Sequence, residues 1–274
     1  MASAAPAALS PPPAPAVALT ASAAERDAEA ELRAVVAKLE RFGMGGDGDR
    51  ALWSEVNAAA TALIGAVGSG STPPPSSAAE AFALHARFEG DWRLVATTSA
   101  AADKGQGITG VGRAPFTKPH ALFERVRPLR PGGDLNLPSK AAAAAVAGAV
   151  GAGTPVAPPC THEFVSAEVL EFWGKPSIKN ELTGRIAWGG RDGRERVEQV
   201  DGGVVAGQDN PAAYRLDERA RSLTLGALTA DGALRVDAGP EPGAHAVWER
   251  VGDYDAWFAQ RSLPVTGGSV VPGQ

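Results

Sequence analysis

Residues 178–188 read IKNELTGRIAW, and their alternation decides the fold class. The apolar positions fall on one parity, at Ile178, Leu182, Ile186 and Trp188. The other parity carries Lys179, Glu181, Thr183 and Arg185. Successive side chains of a β-strand point to opposite faces. The stretch therefore predicts a strand with one buried face and one solvated face.

Further strand-like runs surround this stretch. They cover residues 90–97, 105–112, 119–127, 162–173, 194–200, 212–217, 221–228, 233–237 and 244–251. Turn-forming residues separate the later runs, at Gly189-Gly190, Asp192-Gly193, Asp201-Gly202-Gly203, Asp231-Gly232 and Pro242-Gly243. Frequent short strands with tight turns indicate an antiparallel sandwich or barrel. Because a closed barrel leaves no exposed sheet edge, we expect a mainly β protein built on an antiparallel β-barrel.

Helix patterns precede the strands. Ser22 and Glu25 form a capping box ahead of a helix predicted over 22–42, with Gly43 as its stop. A second helix is predicted over 49–65 and a third over 77–87. Their apolar stripes predict an N-terminal layer of two to three helices that covers the barrel.

Ala, Gly and Pro dominate three stretches, at 1–22, 68–78 and 130–159. Segments of low hydrophobicity cannot offset the entropy of ordering, so we expect loops or disorder there. The predicted organisation is a tail or transit-like segment at 1–22, a helical lead-in at 23–88, a barrel domain at 89–260 that contains the 130–159 loop, and a flexible tail at 261–274. The first stretch lacks acidic residues, as transit peptides do, but it also lacks their arginines.

Composition excludes several classes of function. The 274 residues carry a net charge of −5, which argues against a nucleic-acid binder. The single cysteine, Cys160, excludes a disulfide framework within the chain and a Cys-based zinc cluster. No apolar run approaches the roughly 20 residues of a membrane-spanning helix.

Residues 88–126 carry a resemblance to a known family. Gly90, Trp92, Leu94 and the run Thr97-Thr98-Ser99 resemble the strand that opens the barrel of the plastid lipid-associated proteins, or plastid fibrillins. Tyr214-Arg-Leu216-Asp217 resembles a later motif of that family. The resemblance implies a lipocalin-like barrel in a plastid, at a thylakoid, plastoglobule or lipid-body surface. It also implies binding of lipids such as carotenoids, quinone precursors, other isoprenoids or fatty acids.

Candidate site residues follow from the expected barrel. The residues expected to line its inside, and to contact a ligand there, are Trp92, Leu94, Ile178, Leu182, Ile186, Trp188 and Trp248. The alternative for the three tryptophans is a purely structural core. Arg194 and Arg196 share a strand face and are expected either to meet an anionic head group or to form a solvated face.

Motifs for catalysis are weak. The four histidines are too scattered for a helical metal site, and Gly105–Gly110 matches Gly-x-Gly-x-x-Gly without a following helix. Cys160 and His162 are two residues apart and would share a strand face, but an incidental cysteine is the simpler interpretation. We therefore expect no catalytic residue, no metal and no cofactor.

The resulting hypothesis is a non-catalytic binder of an apolar or amphipathic lipid at a plastid membrane surface or lipid droplet. Two alternatives stay open. One is a lipocalin-like isomerase or lyase with an acid/base pair inside the barrel. The other is a scaffold with a filled core that binds protein partners.

Overall fold

The computed structural model describes residues 20–39, 47–69, 78–99, 117–129, 160–172, 175–189, 194–206, 212–215, 219–239 and 241–261. The predicted strand at 105–112, the Gly-x-Gly-x-x-Gly motif and the 130–159 segment lie outside these ranges. The described helices are α1 (Ala23–Val36), α2 (Asp47–Ser69), α3 (Ala78–Phe88) and α4 (Tyr254–Arg261). The described strands are β1 (Gly90–Thr97), β2 (Thr117–Pro128), β3 (Cys160–Phe172), β4 (Lys175–Gly189), β5 (Glu195–Ala206), β6 (Ala212–Arg215), β7 (Arg219–Leu228), β8 (Leu234–Ala238) and β9 (His245–Val251).

Eight strands close into a barrel, which confirms the predicted fold class. Each neighbour pairs antiparallel in the order β1-β2-β3-β4-β5-β7-β8-β9, and β9 pairs back to β1. β6 lies outside this ring and pairs with the second half of β5. The protein is thus mainly β, with a closed antiparallel barrel of lipocalin-like type and attached helices.

The Asp201-Gly202-Gly203 run does not make the predicted turn. β5 continues through it to Ala206. The pairing of β4 with β5 places Leu182 opposite Val204 and Gly184 opposite Val200, so the run bulges out against a single residue of β4. Glycines inside strands mark such bulges, because a residue without a side chain tolerates the local distortion.

The helices α1 and α2 cover one outer wall of the barrel, as predicted. Their buried apolar residues pack on Ala96, Ala227, Val236 and Val247 of the sheet. Ser22 Oγ accepts the N–H of Glu25, which confirms this half of the capping box. α1 ends at Val36 rather than at residue 42. The N–H groups of Lys38 and Leu39 donate to the carbonyl groups three residues back in the chain, so the helix ends in a tight turn.

The two other helices differ in their relation to the barrel. α3 inserts Leu84 and Phe88 into the apolar core inside one end. α4 lies against the side of the barrel. It packs through Tyr254 and Phe258 on the outer wall, because Phe123 of β2 points outward there. None of the described helices is both long and apolar enough to span a membrane.

Candidate functional site

The inward faces of four strands carry charged side chains. They are Glu124 on β2, Arg196 and Glu198 on β5, Arg221 on β7, and Arg235 and Asp237 on β8. Five of these side chains are at most 2% exposed, while that of Arg221 is 43% exposed. We call these six residues the charge ring, because their ion pairs form a closed circuit.

One half of the charge ring centres on Arg196. Its two terminal nitrogens donate to both oxygens of Asp237, at 2.9 and 2.8 Å. Its Nε donates to Glu198 Oε1 at 2.8 Å. A bidentate guanidinium–carboxylate pair is among the strongest charge-assisted contacts in proteins. This half therefore holds β5 against β8 across the barrel interior.

The other half closes the circuit through β2. Arg221 Nε donates to Glu198 Oε2 at 2.6 Å, and its Nη2 lies 3.6 Å from Glu124 Oε2. Arg235 Nη2 lies 2.8 Å from Glu124 Oε1 and 3.1 Å from Asp237 Oδ2. Positive and negative groups alternate around the circuit, three of each, so the charge ring is balanced.

Aromatic rings surround the guanidinium groups. Arg196 Cζ lies 4.9 Å from the centre of the Phe88 ring, and Arg235 Cζ lies 4.4 Å from the same ring. Arg235 Cζ is also 5.0 Å from the ring centre of Trp92 and 4.7 Å from that of Trp248. Cation–π attraction strengthens when the cation is desolvated. The aromatic residues thus compensate in part for moving two arginines out of water.

The pKa values of the two glutamates diverge within the charge ring. Burial acts to raise the pKa of Glu198, but the guanidinium groups of Arg221 and Arg196 outweigh it and lower the pKa to about 2. Burial raises the pKa of Glu124, and its neighbour Arg235 offsets this only in part. Glu124 is therefore the glutamate of the pair that more readily holds a proton.

The predicted lining residues occupy the barrel interior and its ends. Trp92, Leu94, Leu182, Ile186, Trp188 and Trp248 are all buried, and the side chain of Ile178 lies outside the described residues. Trp92, Ile186 and Arg235 have no surface that a water molecule can reach. At these three positions the barrel interior is occupied by protein atoms.

Arg194 and Arg196 lie neither on an exposed rim nor on a solvated face. Arg196 is enclosed in the charge ring, and Arg194 is buried with Nη1 donating to the carbonyl of Gly226 at 3.2 Å. The strand register explains why Arg196 is buried rather than exposed, because Arg196 of β5 pairs with the inward-facing Trp188 of β4. Glu198 shares the parity of Arg196 and is buried too, whereas Glu195 lies on the other face and is exposed.

A groove of about 540 Å³ opens on the outer wall between α1 and the sheet. Its lining residues include Val36, Leu39, Val95, Val247 and Trp257, together with Arg33, Arg93, His120 and Glu249. Small-molecule sites occupy roughly 300–1,000 Å³ and combine apolar walls with a few polar groups. This groove has a volume in that range, and its lining combines apolar side chains with a greater share of polar surface.

The groove carries more cationic than anionic side chains. Arg93 pairs with Glu249 across β1 and β9, and its buried Nε has no hydrogen-bond partner among the described residues. Arg33 pairs with Glu29, which does not line the groove. His120 lies 6.0 Å from Trp257, ring centre to ring centre. An anionic head group over an apolar chain is chemically complementary to this arrangement.

Sequence reasoning missed both the charge ring and the groove. Arg235 and Asp237 alternate with Leu234 and Val236 in β8, so their shared face could be read from the sequence. Their inward direction could not be predicted, because the apolar Leu234 and Val236 occupy the other face of β8 and pack under the helices. The groove joins α1, β1, β2, β9 and α4, which no local pattern connects.

The described residues assign no chemical role to the cysteine and form no metal site. Cys160 is the first residue of β3, and its side chain lies outside the described residues. Among the residues that the structure describes, no group of three His, Cys, Asp or Glu is placed to hold a metal ion.

Comparison of the chain with protein-family models, with curated proteins and with solved structures gave no match in any of the three.

Proposed function

We propose that the protein binds a single-chain amphipathic lipid with an anionic head group in the groove on its outer wall. The observation that carries this proposal is the groove of about 540 Å³, in which arginines lie beside apolar side chains. A fatty acid is the simplest molecule of this class. Its carboxylate would lie near Arg93 and its chain over Val36 and Val95, which are both half-buried in the groove lining.

Burial of the chain supplies the affinity. Each buried methylene contributes about 0.8 kcal/mol, and the head group sets the orientation through Arg93. We place the ligand on the outer wall because the interior residues Trp92, Ile186 and Arg235 are completely buried and offer no surface to a ligand. The location at a plastid membrane or lipid-body surface rests on the motif resemblance at residues 88–126 alone.

Native mass spectrometry and quenching of tryptophan fluorescence test this function with dodecanoate as the probe. Trp257 lines the groove, so binding should change its emission. Val95→Glu places a charge on the groove wall and should abolish binding. The matched control is Val165→Glu, at an equally half-buried valine on the wall of β3. Dodecanoate that binds both variants equally, or that does not bind the native chain, contradicts the proposal.

A scaffold that binds a protein partner is the second candidate. The complete burial of Trp92 and Arg235 favours it, because interior side chains that are packed by other protein atoms need no ligand for their burial. The lipid assay separates the two functions. A scaffold predicts no saturable binding of dodecanoate to the native chain.

A further inference from the structure

Thr161 and His162 make a contact that regular strand alternation would prevent. They are consecutive residues of β3, yet Thr161 Oγ1 lies 2.7 Å from His162 Nδ1. The pairing of β3 with β4 shifts register between Cys160 and His162. Such a β-bulge re-aims side chains, and bulges are over-represented next to active sites.

The indole of Trp188 decides the tautomer of His162. Its Nε1 donates to His162 Nδ1 at 3.2 Å. An indole nitrogen is only ever a donor, so Nδ1 carries no proton and acts as an acceptor. The hydroxyl of Thr161 therefore also donates to Nδ1. The ring proton sits on Nε2, which lies 3.5 Å from Glu89 Oε1.

We infer that Thr161, His162 and Glu89 form a nucleophilic site for acyl transfer from carboxylic esters. The arrangement is a hydroxyl, an imidazole with its basic nitrogen toward that hydroxyl, and a carboxylate behind the imidazole. Thr161 is an exposed residue of β3. His162 is only 5% exposed, as suits a base held in one orientation. This inference goes beyond the proposed lipid binding and does not depend on it.

The chemistry balances with water as the second substrate. Thr161 Oγ1 attacks the ester carbonyl while its proton passes to His162 Nδ1. The C–O bond of the ester breaks, and the departing alkoxide takes that proton to leave as an alcohol. Water then attacks the acyl-threonine, gives its proton to Nδ1, and the carboxylic acid leaves as the proton returns to Oγ1. Glu89 is a positioning residue, since it stabilises the imidazolium without touching the ester.

The surroundings keep His162 neutral over a wide pH range. Burial, with the neighbouring His85, lowers the pKa of His162 to about 4. His85 stacks on Trp188 with ring centres 4.1 Å apart, and its ring centre is 6.3 Å from that of His162. Burial raises the pKa of Glu89, while Arg127 opposes that rise. The groups that face the imidazole are thus His85, Glu89, Thr161 and Trp188.

A fluorophosphonate probe tests the site, since it traps activated hydroxyls. The Oγ1–P bond forms, the P–F bond breaks, fluoride leaves, and the hydroxyl proton passes to His162. Peptide mapping by mass spectrometry should find the label on Thr161 in the native chain and in Thr183→Val, which alters an exposed threonine of β4. Thr161→Val should lose that label, and His162→Gln should slow labelling at least tenfold.

The Glu89→Gln variant distinguishes a positioning role of Glu89 from a purely structural one, because only the positioning role affects the pH dependence of labelling. The rate of labelling in the native chain should rise with pH in two steps, one as His162 loses its proton near its pKa of about 4 and a second at higher pH as Glu89, whose pKa is raised by burial, becomes ionised. Glu89→Gln should keep the first step and lack the second. Because Glu89 is half-exposed, this variant remains informative if His162→Gln does not fold. No label on Thr161, equal labelling of a folded His162→Gln, or a second step that persists in Glu89→Gln would overturn the inference. Loss of dodecanoate binding would leave it standing, so the two proposals fail separately.

Discussion

Arg196 and Asp237 face each other inside the barrel and share two parallel hydrogen bonds of 2.9 and 2.8 Å. Arg196 belongs to β5 and Asp237 to β8, and β7 lies between these strands in the sheet. The pair therefore joins strands that do not exchange backbone hydrogen bonds with each other. It makes the charge ring a structural element of the barrel.

Asp237→Asn should destabilise the fold strongly. Removing one partner of a buried ion pair leaves the other charge without compensation, at a cost of about 3–5 kcal/mol in the free energy of unfolding. Urea denaturation measures it. The matched control is Glu29→Gln, which breaks the solvent-facing pair with Arg33 and should cost about 0.3–0.5 kcal/mol. Equal losses in the two variants would show that the charge ring has no special role.

Acid should weaken the fold through Glu198. Its pKa in the folded protein is about 2, below its value of about 4.3 in an unfolded chain. A carboxyl whose pKa is depressed by folding stabilises above the unfolded pKa, and this stabilisation is lost as pH falls toward 2. Within that window one proton changes the free energy of unfolding by up to about 1.4 kcal/mol per pH unit.

Glu198→Gln tests this dependence. Its free energy of unfolding, measured by urea denaturation between pH 5 and pH 2, should fall less steeply with acid than that of the native chain. Other carboxylates, such as Asp91, contribute to both proteins and cancel in the difference. Parallel curves for the two proteins would contradict the low pKa of Glu198.

Gly184→Ala should strain the closure of the barrel. A Cβ at this position would lie 2.3 Å from the carbonyl oxygen of Gln199 and 2.5 Å from Phe164 Cζ. Neither a strand backbone nor a buried ring yields readily, so we expect a loss of about 1–3 kcal/mol. Gly189→Ala in the same strand is the control, because no atom lies within 4 Å of its added Cβ. Thermal denaturation of the two variants should separate them.

Arg93→Gln should weaken dodecanoate binding about tenfold, because hydrogen bonds to a charged group contribute about 1.5–3 kcal/mol. Dodecanol has the same chain without the carboxylate, and its affinity should not change. Titration of tryptophan fluorescence measures both ligands. A loss of affinity for both ligands would show that Arg93 stabilises the structure of the groove and does not recognise the head group.

Local patterns predicted most elements of this protein. The alternation at 178–188 predicted β4, and the capping residues Ser22 and Glu25 predicted the start of α1. The bulge at Asp201-Gly202-Gly203 was mistaken for a turn, because glycine serves both structures and only the pairing with β4 separates them. The end of α1 was also misplaced, since its last turn depends on contacts that a periodic pattern does not contain.

By itself the sequence determined that strands alternate, that turns are short and that a barrel follows, since these depend on neighbouring residues. Only the tertiary structure decided what the barrel contains. Glu124, Arg196 and Arg235 are buried because strands distant in the chain bring opposite charges within hydrogen-bond reach. The bulge at Thr161 and the groove between α1 and the sheet have the same origin. A charged side chain is buried only where an opposite charge lies within reach, and closure of the barrel is what places that opposite charge.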